Sequence, residues 1–344
     1  MSGAGGEINR KLEIINLENR RTSSEQKMNY KIKTIPLSSI DSEDNSYRIT
    51  TGSHIKDLVN SIDKLGLINQ PLLIEKGSMF IIVCGFCRIE ACRYLGWPEI
   101  EAKTLDPDTD GFECAKIAIT DNVLQRQLNL IEKSRALNIL SKFYKDSESL
   151  FMEASALGLP ENPSLIKKIK DICNFPLPVQ DCMLAGTVSL TIALDLSMLE
   201  QKVGVFLANM FHELKLSLNK QKETIVMIKE IAIRENISEM ELLNKCGFSD
   251  ILNNKDIDRT QKAQKIKTYL KQMRFPEITK AETERSRNIK ELNLGAGINL
   301  IPPANFEGLT YMLNIKFKKI DELQKQVVKL NAIAENSILE KIIK

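Results

Sequence analysis

The stretch Met79-Phe-Ile-Ile-Val-Cys84-Gly85-Phe-Cys-Arg88-Ile-Glu-Ala-Cys-Arg-Tyr-Leu-Gly96-Trp97 changes period at its middle, and that change sets the fold class. Met79 to Cys84 is a short apolar run rich in β-branched residues, which reads as a buried strand. Gly85 breaks it. From Phe86 the residues Phe86, Ile89, Cys92 and Leu95 recur at helical spacing, and Gly96 with Pro98 closes the helix. A strand turning through glycine into a helix points free amide N–H groups at the helix start, where an anion is favoured. Arg88 lies in that first turn, where a cation opposes the helix dipole unless something offsets it. A bound phosphate is one reading, and a solvated side chain is the other.

The surrounding composition narrows the classes. A net charge of +3 on 344 residues is too small to argue for nucleic acid, so any DNA contact must come from local clustering. No apolar run approaches the roughly 20 residues of a membrane span. Residues 1–27 are polar and lack an apolar signal core, so they read as a mobile tail on a cytoplasmic protein. Seven scattered cysteines fit a reducing compartment. The two histidines, His54 and His212, have no ligand-spaced partners, which argues against a zinc centre or a histidine triad.

Before the central stretch, Lys31 to Leu37 reads as a strand with Pro36 marking an edge. Ser53 reads as the N-cap of a helix from His54 to Leu65, stopped by Gly66. Leu72 to Glu75 is a strand joined to Met79–Cys84 by a Lys76-Gly77-Ser78 turn. Ile100 to Leu105 is another strand, and from Gly111 the chain is helical. This alternation predicts a small α/β or α+β domain. In Thr120-Asp-Asn-Val-Leu-Gln-Arg-Gln-Leu-Asn-Leu-Ile-Glu132, Asp121 and Asn122 offer oxygens of the kind that hold hydrated Mg²⁺ beside phosphates, and Arg126 offers a donor fork. As isolated residues they more readily describe a helix end and its solvated face.

In this order the pieces resemble the ParB family of chromosome and plasmid partition proteins. Tyr47-Arg48 stands where the family has an Arg-containing motif, and Gly66 to Pro71 is similar to its Gly-Ile-x-Gln-Pro. Gly85-Phe-Cys-Arg88-Ile-Glu-Ala stands in place of Gly-Glu-Arg-Arg-x-x-Ala. Asp121 to Glu132 is similar to Glu-Asn-x-Gln-Arg-x-x-Leu-x-Pro-x-Glu. The resemblance runs from about Lys31 to about Leu199. It implies an α+β protein: a ParB/sulfiredoxin-like N-terminal domain at 28–125, a helical domain with a helix-turn-helix at 126–275, and a strand-plus-helix dimerisation domain at 276–344. It further implies CTP held by Gly66, Gln70, Gly85, Arg88, Asn122 and Arg126, Mg²⁺ by Asp121 and Asn122, and closure on DNA as a dimeric clamp. A ParA-like ATPase would meet the tail, and the protein would be nucleoid-associated. Phe86 replaces the family's Glu and Cys87 its first Arg. Phe86 has no group to orient water or move a proton, so hydrolysis is expected to be weak or absent.

Cys84-Gly-Phe-Cys87 offers a redox alternative, because a helix start lowers a thiol pKa. Sulfiredoxins carry Gly-Cys-His-Arg here, however, and alignment on Arg88 puts Phe86 in the nucleophile's place. No set of catalytic residues stands out for a redox enzyme or a nuclease.

Leu130 to Tyr144 and Leu150 to Leu157 read as helices. The turn Gly158-Leu-Pro-Glu-Asn-Pro then leads to Ser164 as N-cap of a helix from Leu165 to Phe175, a helix-turn-helix pattern. Leu165, Ile166, Ile169, Ile172 and Cys173 form its expected buried stripe. Lys167, Lys168 and Lys170 face outward, either as a solvated face or as phosphate and base contacts. A DNA-binding regulator without a nucleotide switch is the alternative reading of that reader. Val203 to Arg234 reads as one long helix, and Lys262, Lys265, Lys267, Lys271 and Arg274 mark a basic helix after a polar linker. Glu277 to Gly297 reads as a boundary. Ile298 to Ile301 with Tyr311 to Phe317 read as a strand pair, joined through Pro302-Pro303 and Gly308. Ile320, Leu323, Val327, Leu330 and Ala334 read as a short dimer seam.

Overall fold

A computed structural model of the chain describes residues 29–52, 55–160, 162–295, 297–301, 310–336, 338–339 and 342. The tail at 1–27, the Ser53 cap with His54, and Pro302, Pro303 and Gly308 lie outside the described residues. The chain forms two compact units that divide after Leu194.

The first unit is built on a four-stranded sheet, in the order β1-β4-β2-β3. Its strands are β1 (Tyr30–Pro36), β2 (Leu72–Lys76), β3 (Met79–Cys84) and β4 (Glu99–Leu105). β1 runs antiparallel to β4, β4 parallel to β2, and β2 antiparallel to β3. Helices cover both faces, which is why β2 reads Leu-Leu-Ile without alternation. Leu73 and Ile82 point to a layer formed by α1 (Ile55–Leu65) and α2 (Phe86–Tyr94), where Val59, Ile62, Phe86, Ile89 and Cys92 are buried. Leu72, Ile74 and Val83 point the other way, onto Cys114, Ala118 and Ile119 of α3 (Gly111–Gln125). β1 is one of the two edge strands, which tolerates Pro36, and Ile32 on it is exposed.

The second of these cores continues into the helices that follow. Ile131, Leu137 and Leu140 of α4 (Leu130–Ser141) pack with Leu150 and Ala154 of α5 (Ser147–Ala156) and with Ile166 and Ile169 of α6 (Pro163–Ile169). The turn from α5 to α6 passes through Gly158 at φ +75°. Three expectations fail in α6. Its N-cap is Asn162, whose Oδ1 accepts from the amides of Ser164 (2.9 Å) and Leu165 (3.2 Å), with Pro163 preset for the first helical position. Ser164 therefore sits in the first turn. The helix also ends at Ile169 rather than Phe175. Ser134, fully buried on α4, donates to the Lys170 carbonyl (2.9 Å) and accepts from the Cys173 amide (2.8 Å). Those backbone groups are thereby taken from a continuing helix, and a 3-10 turn (Ile172–Asn174) follows. Leu165 lies outside the buried stripe, exposed at 37%. Two further helices, α7 (Leu177–Leu184) and α8 (Leu190–Ser197), follow.

The second unit is mainly helical. The expected single helix over Val203 to Arg234 is two, α9 (Gln201–Leu214) and α10 (Leu218–Glu235). Lys215 takes the left-handed conformation (φ +48°) and the Leu216 amide returns to the Phe211 carbonyl (3.2 Å), a helix-ending reversal. After the short helices α11 (Glu239–Lys245) and α12 (Phe248–Asn253), α13 (Arg259–Arg274) carries the expected basic residues. They are largely spent on neighbouring carboxylates: Lys262 on Glu213 (3.3 Å), Lys267 on Glu223 (3.0 Å), Lys271 on Glu282 (3.0 Å) and Arg274 on Glu230 (2.6 Å). The charged boundary expected after Glu277 is instead helix α14 (Pro276–Glu291). β5 (Ile298–Ile301) and β6 (Met312–Ile315) pair antiparallel, and α15 (Ile320–Ala334) buries Ile333 against Leu292, Leu294 and Ile298 while Ile320 and Val327 stay exposed.

Replacing Ser134 by alanine removes the hydroxyl that pairs the half-buried Lys170 carbonyl and Cys173 amide, so urea unfolding is expected to show a loss of about 1–3 kcal/mol.

Candidate functional site

Gly85 is where the sheet delivers the chain to the site. It sits at φ +95°, and a Cβ there would lie 2.9 Å from Cβ and 3.1 Å from Cα of Pro71. Only glycine lets the strand end turn into α2 while the Gly66–Pro71 segment packs against it. Arg88, one turn into α2, is neither purely solvated nor committed to an anion. Its Nη1 donates to the carbonyls of Asn69 (3.3 Å) and Gln70 (3.2 Å), which tethers that segment to the helix start and offsets the cation.

Beside α2 opens a cavity of about 690 Å³, a size suited to a nucleotide-sized ligand. Gly85, Arg88, Asp121, Asn122 and Arg126 all line it, together with Thr50, Gly52, Asp57 and Ser61. Arg88 and Asp121 also line a neighbouring cavity, of about 580 Å³, that includes Gln70. Gly66 borders neither; at φ +75° it ends α1. Asp121 Oδ1 accepts from Gln125 Nε2 (2.8 Å), and Asn122 Nδ2 donates to the Ala118 carbonyl (2.8 Å), which leaves the Asn122 amide oxygen available as an acceptor. No cluster of three metal-ligating side chains occurs among the described residues.

Arg126 has a partner that spacing did not reveal. Its Nη1 and Nη2 donate to Glu132 Oε2 (2.6 Å) and Oε1 (2.7 Å). The Glu132 side chain is 2% exposed and also accepts from the amides of Thr51 (3.0 Å) and Asn129 (3.0 Å) and from the Thr51 hydroxyl (3.3 Å). Five donors saturate one carboxylate. Burial alone would raise its pKa, but the Arg126 fork and the Asn129 and Thr51 amides outweigh it and hold the group below its ordinary value. The signal for this residue was the Asn129-x-x-Glu132 spacing of a capping box, which the structure forms at the start of α4.

The loop before α1 is fastened from several sides. Arg48 pairs with Glu90 (2.6 Å) and stacks over the Phe86 ring at 5.5 Å. Arg135 Nη1 donates to the Thr50 carbonyl (2.6 Å). Phe86 is thus part of the core and holds Arg48. Of the cysteine pair, Cys84 is buried, which pushes its thiol well up, and Cys87 faces the Thr50 hydroxyl at 3.7 Å. Of the expected DNA contacts, Ser164, Lys167 and Lys168 are exposed on α6, and half-buried Lys170 lies just past its end. No helix among the described residues is long and apolar enough to cross a membrane.

Residues 21–123 match the family model described as the ParB N-terminal domain. A curated relative, a probable chromosome-partitioning protein ParB of Campylobacter jejuni, is 25% identical over 230 residues, which cover 64% of this chain and 80% of that protein. Among solved structures, C-terminally truncated ParB of Caulobacter crescentus complexed with CTP-gamma-S is 21% identical, covering 53% of this chain and 98% of that one at a TM-score of 0.25. The same protein complexed to the centromeric parS site is 20% identical, covering 56% and 97% at a TM-score of 0.30. The N-terminal domain of this chain is ParB-like, as its ordered motifs imply.

The depressed Glu132 pKa has a consequence for stability. A carboxylate whose folded pKa lies below its ordinary value of 4.5 stabilises the fold above that pH and loses the contribution as pH falls through the folded pKa. Urea unfolding between pH 6 and pH 3.5 is expected to show stability dropping below about pH 4.5, with a shallower drop in Glu132→Gln.

Proposed function

We propose that this is a partition-type, DNA-binding protein whose N-terminal cavity takes CTP with Mg²⁺. The observation that carries the reading is the convergence of Gly85, Arg88, Asp121, Asn122 and Arg126 on one cavity beside the start of α2, within a ParB-like domain. The residues fit the ligand's chemistry. Arg88 and the first α2 amides would meet phosphate oxygens. Asp121 and Asn122 would supply the one or two protein oxygens that Mg²⁺ accepts when phosphates and water fill its other positions. Bound Mg²⁺ would neutralise part of the phosphate charge. Gln70, on the tethered segment, would face the nucleotide from the side of the second cavity, and Gly66 frees that segment from α1.

Turnover is expected to be slow or absent. Phe86 carries no proton or lone pair, and Glu132 spends its acceptors on five internal donors. The same facts favour a second reading, a DNA-binding regulator whose cavity no longer binds nucleotide. In either reading α6 lies in the major groove, with Ser164, Lys167, Lys168 and Lys170 toward DNA. We assign 28–125 to the nucleotide, 126–275 to DNA reading and 276–344 to homodimerisation. Exposed Ile320 and Val327 on α15 support the last assignment. We extend the proposal, on the family resemblance of the sequence motifs, to a nucleoid-associated, cytoplasmic protein whose tail at 1–27 meets a ParA-like ATPase.

Calorimetric titration with CTP, ATP, GTP and UTP in Mg²⁺ is expected to give CTP-selective binding that weakens at least tenfold in Arg88→Ala, with circular dichroism checking the fold. No heat with any nucleotide, with or without DNA, would favour the regulator reading. In DNA binding, Lys167→Ala and Lys168→Ala are each expected to weaken affinity for all duplexes alike. Each is also expected to lower the slope of log K against log salt by about one unit.

A further inference from the structure

We infer that Glu132 is a specificity-determining residue of the nucleotide cavity, setting how much negative charge a ligand must bring to recruit Arg126. The inference rests on the nucleotide reading above. Arg126 lines the cavity with its side chain 44% exposed, yet both of its Nη atoms are held end-on by the Glu132 carboxylate at 2.6 and 2.7 Å. A charge-assisted fork of this kind is among the stronger polar contacts, and in this half-buried setting it is poorly screened. The guanidinium therefore offers the cavity little net positive charge while the pair is intact.

The pair cannot be exchanged for a weaker one. Glu132 is anchored from behind by the Thr51 and Asn129 amides and cannot follow Arg126 outward. Unpairing it would leave a buried carboxylate without its counter-ion. A ligand gains Arg126 only by presenting an anion that competes with a fixed carboxylate. A monophosphate placed at Arg88 and the α2 start has no second anionic group to do so. A di- or triphosphate extending along the cavity toward Asn122 and Arg126 does. Glu132, which borders the cavity beside Arg126, thus discriminates by phosphate number through its hold on that guanidinium, and Arg88 supplies the contact common to all phosphates.

The test compares CTP with CMP, and adds inorganic pyrophosphate as a base-free probe, by calorimetry at low salt on the full chain. The wild-type chain, Glu132→Gln and Glu132→Gln/Arg126→Gln are compared, with thermal melts to certify folding. The expected result is a CTP-to-CMP affinity ratio at least fivefold smaller in Glu132→Gln, through tighter CMP binding. That gain disappears when Arg126→Gln is added. A residue that merely held the fold would weaken all ligands together. An unchanged ratio, or a gain that persists without Arg126, would overturn the inference. If the wild-type chain binds none of the nucleotides, the nucleotide reading fails. Glu132→Gln acquiring pyrophosphate in an Arg126-dependent way would then still support charge masking, and its failure to do so would overturn both.

Discussion

A carboxylate withdrawn from water is costly unless its oxygens are filled, and in this chain the filling of Glu132 ties several segments together. Arg126 comes from the end of α3, Asn129 from the start of α4, and Thr51 from the loop before α1. Arg126 and Asn129 are close to Glu132 in sequence, whereas Thr51 lies 81 residues away and reaches it only through the folded domain. With Arg135 on the Thr50 carbonyl and Arg48 on Glu90, this contact fixes the loop that walls the cavity. The cavity's shape is therefore a by-product of satisfying one buried charge.

The helix carrying that charge also borders the proposed DNA reader. α4 presents Glu132 toward the cavity, while Ser134 holds the backbone just beyond α6. Between the two lies a continuous apolar core joining β2, α3, α4, α5 and α6. The sheet and the helices α4, α5 and α6 thus share packing within one compact unit, and the polar groups of a single helix touch both the cavity wall and the segment just past α6.

Elements whose signal is local were legible in the sequence. The shift of period at Gly85 located β3 and α2, because a glycine with φ +95° must separate a buried strand from an amphipathic helix there. Gly85, Arg88, Asp121, Asn122 and Arg126, which the motifs single out, line one cavity. What was not legible depended on distant partners. Lys170 and Cys173 leave the helix because Ser134, more than 30 residues away, takes their backbone groups. The lysines of α13 resembled a free basic face until Glu213, Glu223 and Glu282 met them from other helices. Arg126 read as a phosphate fork because nothing in its spacing announced that Glu132 would be buried against it. Phe86 reads as an apolar helix position and as the loss of an acid, and the fold also uses its ring to seat Arg48.

The central claim is that the cavity beside α2 is a nucleotide site framed by the Thr50–Gly52 loop, the start of α2 and the end of α3. Hydrogen–deuterium exchange of the full chain with and without CTP and Mg²⁺ reads those three segments separately. The account predicts slower exchange at 49–52, 86–88 and 121–126 with CTP, and no such change with CMP at the same concentration. Unchanged exchange in all three segments at saturating CTP would contradict it.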